Sequence, residues 1–259
     1  MERKLLEGKN VAITGSSDGI GLAIASVFAK NGANICLIAR NEKKLKEVET
    51  ELVGYGTKIS FIAADLSQIS KIENVSQQIL ELFPQVDILV NNAGIGRFIP
   101  FEDMNEEALD MHLNLNVKAP YILTNRLFNS LKKSKGNVIN ISSYFANRML
   151  SGRTTTAYSM TKGAINSFTK ALAFEAGKYG VRVNAIAPGS ITTPQSQHNF
   201  NQLSPEGQTH FENMIQEIYP LKKIGEADDI ADMALFLASE KAKWITGSIF
   251  SVDGGLTTN

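Results

Sequence analysis

The chain has 259 residues, a length that suits one large α/β domain with a substantial core. Lysine plus arginine equals aspartate plus glutamate, at 26 each, so nothing points to nucleic acid or an anionic membrane as a partner. A single cysteine, Cys36, excludes an internal disulfide, three histidines beside it make no zinc pattern, and no run approaches the ~20 apolar residues of a membrane-spanning helix.

In chain order, residues 1–6 lack the apolar run of a signal peptide, and a reducing cytoplasm is the expected setting. Residues 10–14 form a short apolar run that ends at Gly15 and reads as a buried parallel strand. Residues 20–30 place Ile20, Ala23, Ile24, Val27 and Phe28 at helical spacing, with Asn31-Gly32 as a stop. A second strand covers 35–39, a charged amphipathic helix 41–52 and a third strand 59–63. Ser70 and Glu73 make a candidate capping box for a helix running to residue 82. The fourth strand, 87–90, ends in Asn91-Asn92-Ala93-Gly94.

A long helical pattern then runs from Asn105, an N-cap type, to residue 133, and Pro120 is expected to bend it. Strand five, 138–141, ends in Ser142-Ser143, and a loop over 144–156 leads into a helix carrying Tyr158. Strand six, 181–187, is followed by Pro188-Gly189. Residues 190–222 read as polar and irregular, apart from an amphipathic stretch near 210–218. A helix over 228–237 and a strand over 247–252 close the chain. Cys36 and Trp244 read as packing residues; His112, His198 and His210 read as surface or packing residues, with a minor substrate role open for His198.

Strands alternating with helices predict a mostly parallel sheet with helices on both faces and right-handed crossovers. Ligands of such sheets bind at the carboxyl ends of the strands. There, Thr14-Gly15-Ser16-Ser17-Asp18-Gly19-Ile20-Gly21 joins the first strand to the first helix, a context in which glycines let a phosphate approach a helix N-terminus. Tyr158 and Lys162 stand four apart and share one helix face. A free phenol has a pKa of about 10, and a lysine ammonium nearby pulls it toward the working range.

Taken together, these motifs resemble the short-chain dehydrogenase/reductase superfamily over nearly the whole chain. The glycine pattern at 14–21, Asn-Asn-Ala-Gly at 91–94, Tyr-x-x-x-Lys at 158–162, Pro-Gly-x-Ile-x-Thr at 188–193 and Val-Asp-Gly-Gly at 252–255 occur in the family's order. The resemblance implies a Rossmann-type, doubly wound, mostly parallel seven-stranded sheet. It makes residues 1–259 a single dinucleotide-binding domain with a substrate segment at 190–222.

It also implies a set of roles. Tyr158 would be the acid or base, Lys162 would lower its pKa and hold the nicotinamide ribose, Ser143 would bond the substrate oxygen and Asn116 would anchor a water leading from Lys162. Ser142 is the adjacent alternative to Ser143, and Asn116 has a second reading as a cap on a distortion near Pro120. Coenzyme contacts would come from Gly15, Ser17, Asp18, Gly19, Ile20, Gly21, Arg40, Asn41, Asp65, Leu66, Asn92, Ala93, Gly94, Pro188, Gly189, Ile191 and Thr193, with Tyr158 and Lys162. Strand two ends in Ala39-Arg40 where NAD-linked relatives carry aspartate, and arginine suits a 2′-phosphate, so NADP is expected with NAD as the alternative. Asp18 departs from the NADP pattern, because a carboxylate there would oppose the phosphate.

The implied reaction is interconversion of a ketone and a secondary alcohol, and the alternative is a non-catalytic dinucleotide-binding protein. The spacing of four between Tyr158 and Lys162 disfavours an enoyl reductase of the same superfamily. Arg97, Arg148 and Arg153 flank the predicted cleft, and one of them is expected to meet an anionic group of the substrate. A carrier-protein thioester is one candidate substrate, for which Lys132, Lys133, Lys135 and Lys178 are a candidate docking patch. A homotetramer is expected.

Overall fold

The computed structural model describes residues 4–258, except the side chains of residues 195, 198 and 199, so His198 lies outside the described side chains. The elements run β1 (Asn10–Thr14), α1 (Gly19–Lys30), β2 (Asn34–Ala39), α2 (Glu42–Leu52), β3 (Ile59–Ala63), α3 (Ile72–Leu82), β4 (Ile88–Asn91) and α4 (Glu106–Leu113). Then follow α5 (Ala119–Ser134), β5 (Asn137–Ile141), α6 (Thr156–Ala176), β6 (Arg182–Pro188), β7 (Ile191–Thr192), α7 (Pro194–Asn201), α8 (Pro205–Ile218), β8 (Gly225–Glu226), α9 (Ala227–Ala238) and β9 (Ile249–Val252). Seven strands form one sheet in the order β3-β2-β1-β4-β5-β6-β9, every pair parallel, while β7 and β8 make a small separate ladder.

Alternation along each strand divides the core between two faces. Val11 and Ile13 join Ile24 and Phe28 of α1, Leu45 of α2 and Ile230 and Leu237 of α9. Ala12, Cys36 and Leu89 face the other way, into Ile72 and Ile79 of α3 and Leu123, Leu127 and Leu131 of α5. Burial pushes the Cys36 thiol up to about 12, so it behaves as a small apolar side chain. The order reverses direction between β1 and β4, which opens a crevice at their carboxyl ends.

Three local expectations change. The Ser70–Glu73 capping box does not form: residues Ile69–Lys71 make a 3₁₀ turn, and α3 begins at Ile72 without a side-chain cap. The long helix is interrupted before the proline rather than by it. Residues Asn114–Lys118 form a π-helical turn, and Pro120 follows directly after it at the start of α5. Residues 190–222 are largely helical, as α7 and α8; Ser204 caps α8 by accepting from the Gly207 N–H.

Trp244 is also not a packing residue. It is 97% exposed in the single chain, on the turn before β9.

Candidate active site

The crevice starts at the turn between β1 and α1. Gly15 adopts φ +67°, a conformation that favours glycine, and packs against Asn92 and Ala93 at the end of β4. A Cβ on Gly21 would lie 2.2 Å from the Gly15 carbonyl oxygen, so the turn closes only on a bare Cα. Thr14 Oγ1 accepts the Asn92 and Ala93 N–H groups, both at 3.0 Å, and Asn92 Nδ2 donates to the Thr14 carbonyl at 2.9 Å. Asn92 and Ala93 thus tie the glycine turn to β4. Ser16 supports it from below, its Oγ donating to the Ile13 carbonyl and accepting from the Ile38 N–H.

Asp18 caps α1 through the Gly19 N–H (2.8 Å), and its second oxygen meets Lys44 Nζ at 2.6 Å. Asn41 caps α2 by accepting from the Lys44 N–H. Arg40, which precedes Asn41 in the chain, is exposed.

Across the crevice, Ser142 and Ser143 follow β5 with both side chains buried. Ser142 Oγ donates to Asn166 Oδ1 at 2.6 Å and so turns into α6. Ser143 pairs with the Tyr158 phenol instead. Lys162, 5% exposed, donates to the Ile141 carbonyl at 2.8 Å, with its ammonium 5.6 Å from the Tyr158 ring centre.

Burial raises the Tyr158 phenol above its ordinary value, and the Ser143 hydrogen bond pulls it back in part. Burial lowers Lys162 to about 8. The lysine is therefore spent on a backbone carbonyl here rather than on the phenol, which differs from the expected downward pull on Tyr158.

The π turn positions Asn116. Its Oδ1 accepts from the Ile95 N–H (2.8 Å), and its Nδ2 donates to the Ile95 carbonyl (2.8 Å) and to Thr161 Oγ1 (3.0 Å). His112, fully buried, adds a second brace: Nδ1 donates to the Ala108 carbonyl, leaving Nε2 to accept from the Arg97 N–H at 3.2 Å. Residues 95–97 are thereby held across the Tyr158 ring, which a Cβ on Gly96 would approach to 3.4 Å. On the far side, Gly189 packs on Asp253, whose carboxylate is held by the Gly255 and Thr257 N–H groups.

The result is a cleft of about 240 Å³ lined by Ile20, Asn92, Gly94, Ser143, Tyr158, Lys162, Pro188, Gly189, Ile191 and Thr193, among others. Beyond the lining, Phe98 and Phe145 stand edge-on to Tyr158 at 6.1 Å each, and Arg153 lies 6.0 Å from both the Phe98 and Phe211 rings.

A family model described as enoyl-(acyl carrier protein) reductase matches residues 15–257. The oxidoreductase UcpA of Salmonella typhimurium is 34% identical over 252 residues, which cover 97% of this chain and 95% of that protein. The 3-oxoacyl-[acyl-carrier-protein] reductase FabG of Chlamydia pneumoniae is 35% identical, covering 97% of this chain and 98% of that one. The chain belongs to the short-chain dehydrogenase/reductase superfamily. Among solved structures, L-sorbose reductase from Gluconobacter frateurii, complexed with NADPH and L-sorbose, superposes with a TM-score of 0.92 at 32% identity over 99% of both chains. The protein is thus an NAD(P)-dependent oxidoreductase of this superfamily.

Within that frame, the crevice gathers most of the residues read from the sequence. Two of their side chains are engaged within the fold. Leu66 is packed into the core beside Ile72 and Val75, and Asp65 accepts from the Ser67 N–H and hydroxyl, so neither side chain stands free. Ser17 makes no hydrogen bond among the described residues.

The lysine patch is misplaced for its suggested purpose. Lys132, Lys133, Lys135 and Lys178 lie where α5 and α6 return to the amino ends of β5 and β6, and Lys132 and Lys178 rest over the Tyr179 ring. That edge is a strand length, ~16 Å, from the crevice. Lys44 and Asn166 carry no signal in the sequence, Thr14 enters there only as part of the glycine pattern, and His112 reads there as a surface or packing residue, because its i−4 bond to Ala108 gives no pattern a sequence displays.

Proposed function

We propose that the protein interconverts a ketone and a secondary alcohol, with NADP as coenzyme and Tyr158 as the proton donor in reduction and acceptor in oxidation. The observation that carries this reading is the pair of a buried Ser143 and a half-buried Tyr158, both lining a cleft that Gly94, Gly96 and Gly189 keep open. A Cβ at Gly94 would stand 3.6 Å from Lys162 Nζ and 3.3 Å from Asn116 Oδ1, so the bare Cα keeps the cleft open beside the lysine, where Ser143, Tyr158, Ile191 and Thr193 also line it. The residues therefore fit a nicotinamide. When bound, it would supply or take up the hydride at the carbonyl carbon.

The chain's own residues would do the rest. Ser143 would donate to the carbonyl oxygen and hold it against Tyr158. Tyr158 would pass its proton to that oxygen as the alkoxide forms, where burial keeps the phenol protonated until then. Lys162 would hold the nicotinamide ribose and, on exchanging the Ile141 carbonyl for a water beside Asn116, return a proton to Tyr158. The glycine turn at 15–21 and Asn92 to Gly94 would hold the pyrophosphate and ribose, Ile191 and Thr193 the carboxamide. Arg40 supports NADP over NAD, because it is exposed at the end of β2 with no carboxylate partner among the described residues.

Tyr158 and Lys162 four residues apart favour carbonyl over enoyl reduction. Phe98 and Phe145 beside Tyr158 favour a ketone with an apolar portion, and Arg153 an anionic group further out, the whole taken up under residues 190–222. The position of the lysine patch argues against a carrier-protein thioester that docks there. We further infer a homotetramer in the cytoplasm. Exposed Tyr121, Met160 and Phe174 on α5 and α6 support helix-to-helix contact between copies, and Trp244 supports contact along β9.

The test is absorbance at 340 nm with NADPH or NADH against a ketone panel, on the native protein and Tyr158→Phe. Turnover that vanishes in the variant while NADPH binding persists supports the reading. Unchanged turnover overturns it, and NADPH that binds but is never oxidised favours a binding protein.

A further inference from the structure

Asp18 stands where an NADP-linked glycine turn would sooner carry a cation. Its carboxylate would oppose a 2′-phosphate, which bears roughly −1.5 to −2 charges at neutral pH. Yet Arg40, at the end of β2, suits that phosphate. The structure resolves the conflict through a residue of the next helix. Lys44 lies in the first turn of α2, its backbone N–H held by the Asn41 cap, and its side chain reaches back across the crevice mouth to Asp18 at 2.6 Å.

The pair contributes little to the fold. Its side chains are 49% and 40% exposed, and exposed ion pairs are worth ~1 kcal/mol or less. Asp18 keeps its structural duty, the cap on Gly19, through its other oxygen. Charge bookkeeping points to the ligand instead. With Lys44, the trio Asp18, Arg40 and Lys44 carries one net positive charge; without it, none. Lys46, two residues on and on the other side of the helix, is already engaged with Glu42 at 2.7 Å.

We propose that Lys44 is a coenzyme-selectivity residue that acts through Asp18: by neutralising that carboxylate it makes the glycine turn accept a 2′-phosphate. Lys44 is a positioning residue, not a catalytic one. The proposal rests on NADP being the coenzyme.

The experiment is titration of native protein and variants with NADPH and NADH by nicotinamide fluorescence, and with 2′,5′-ADP by calorimetry, none of which needs turnover. Lys44→Ala is expected to weaken NADPH and 2′,5′-ADP by about five- to tenfold, the scale of one partly screened charge pair with a multiply charged group, and NADH by less than about twofold. Lys43→Ala, the same charge change on a neighbouring helix position, is expected to change little. The decisive variant is Lys44→Ala combined with Asp18→Asn. Asparagine still accepts from Gly19 but carries no charge, so NADPH affinity is expected to return to within about twofold of native.

A double variant as weak as Lys44→Ala overturns the proposal, as does an equal loss for NADH and NADPH, or a loss matched by Lys43→Ala. Native protein that prefers NADH overturns the NADP reading and this proposal with it. Native preference for NADPH combined with an indifferent Lys44→Ala overturns only the proposal. Circular dichroism melts of each variant identify any that fails to fold, and Lys44→Arg, expected to bind NADPH as native does, then decides in its place.

Discussion

Replacing Lys162 with methionine should make the protein more stable while abolishing turnover. Lys162 is 5% exposed, and burial lowers its pKa from 10.5 to about 8. At 1.36 kcal/mol per pKa unit, that difference is a folding penalty of roughly 3 kcal/mol on the charged form. The sign follows from proton binding. Between pH 8 and 10.5 the unfolded chain holds a proton that the folded chain has released, so stability rises with pH across that window. Below pH 8 both states are protonated and the full penalty applies; above 10.5 it is gone.

Methionine matches lysine in length and cannot ionise. It forfeits the bond from the ammonium to the Ile141 carbonyl, worth about 2 kcal/mol for a charged donor. The expected gain is therefore roughly 1 kcal/mol at pH 7, shrinking to nothing or reversing by pH 10. Cys36, whose folded value of about 12 makes stability fall with pH above 9, is present in both proteins and cancels in the difference. Urea unfolding at fixed protein concentration, at pH 7, 9 and 10, measures this. A variant no more stable than native at pH 7, or a difference that does not change with pH, would refute the claim that Lys162 is held against a desolvation penalty. If the penalty exists, it is retained for function, since apolar packing alone would remove it.

Three further outcomes follow from the geometry. Gly21→Ala brings a Cβ to 2.2 Å from the Gly15 oxygen and is expected to lose about 3 kcal/mol or more; an unchanged melting temperature would show that the turn can relax. Asn116→Leu removes both bonds to Ile95 and is expected to speed hydrogen exchange at the Ile95 amide while the amides of β5 stay protected; unchanged exchange at Ile95 would sink the bracing role. Trp244 is the single tryptophan, so its emission should shift to the blue as protomers associate; a solvent-like spectrum from the assembled protein would exclude the β9 edge from the contact.

The framework of this protein is written in local patterns of the chain. Apolar runs at 10–14, 35–39 and 138–141 and helical spacing from Ile20 to Phe28 are local patterns, and burial on both faces of a parallel sheet demands them. The glycine turn, the Asn-Asn-Ala-Gly run and the Tyr158–Lys162 spacing are likewise contiguous, so the crevice is legible in the chain itself.

What lay out of reach depends on partners far along the chain. Asp18 looked like an obstacle until folding brought Lys44, 26 residues on, against it. Ser142 and Ser143 were separable only once Asn166, 24 residues on, claimed one of them. Pro120 marked a break in the long helix, but the break is a π turn that places Asn116 against Ile95, 21 residues back. Trp244 read as core because large apolar side chains usually are, whereas its position on a turn at the sheet edge leaves it nothing to pack against within one chain. Periodicity records which face of an element is buried; only the tertiary structure decides which charge neutralises which, because that depends on distances the sequence does not contain.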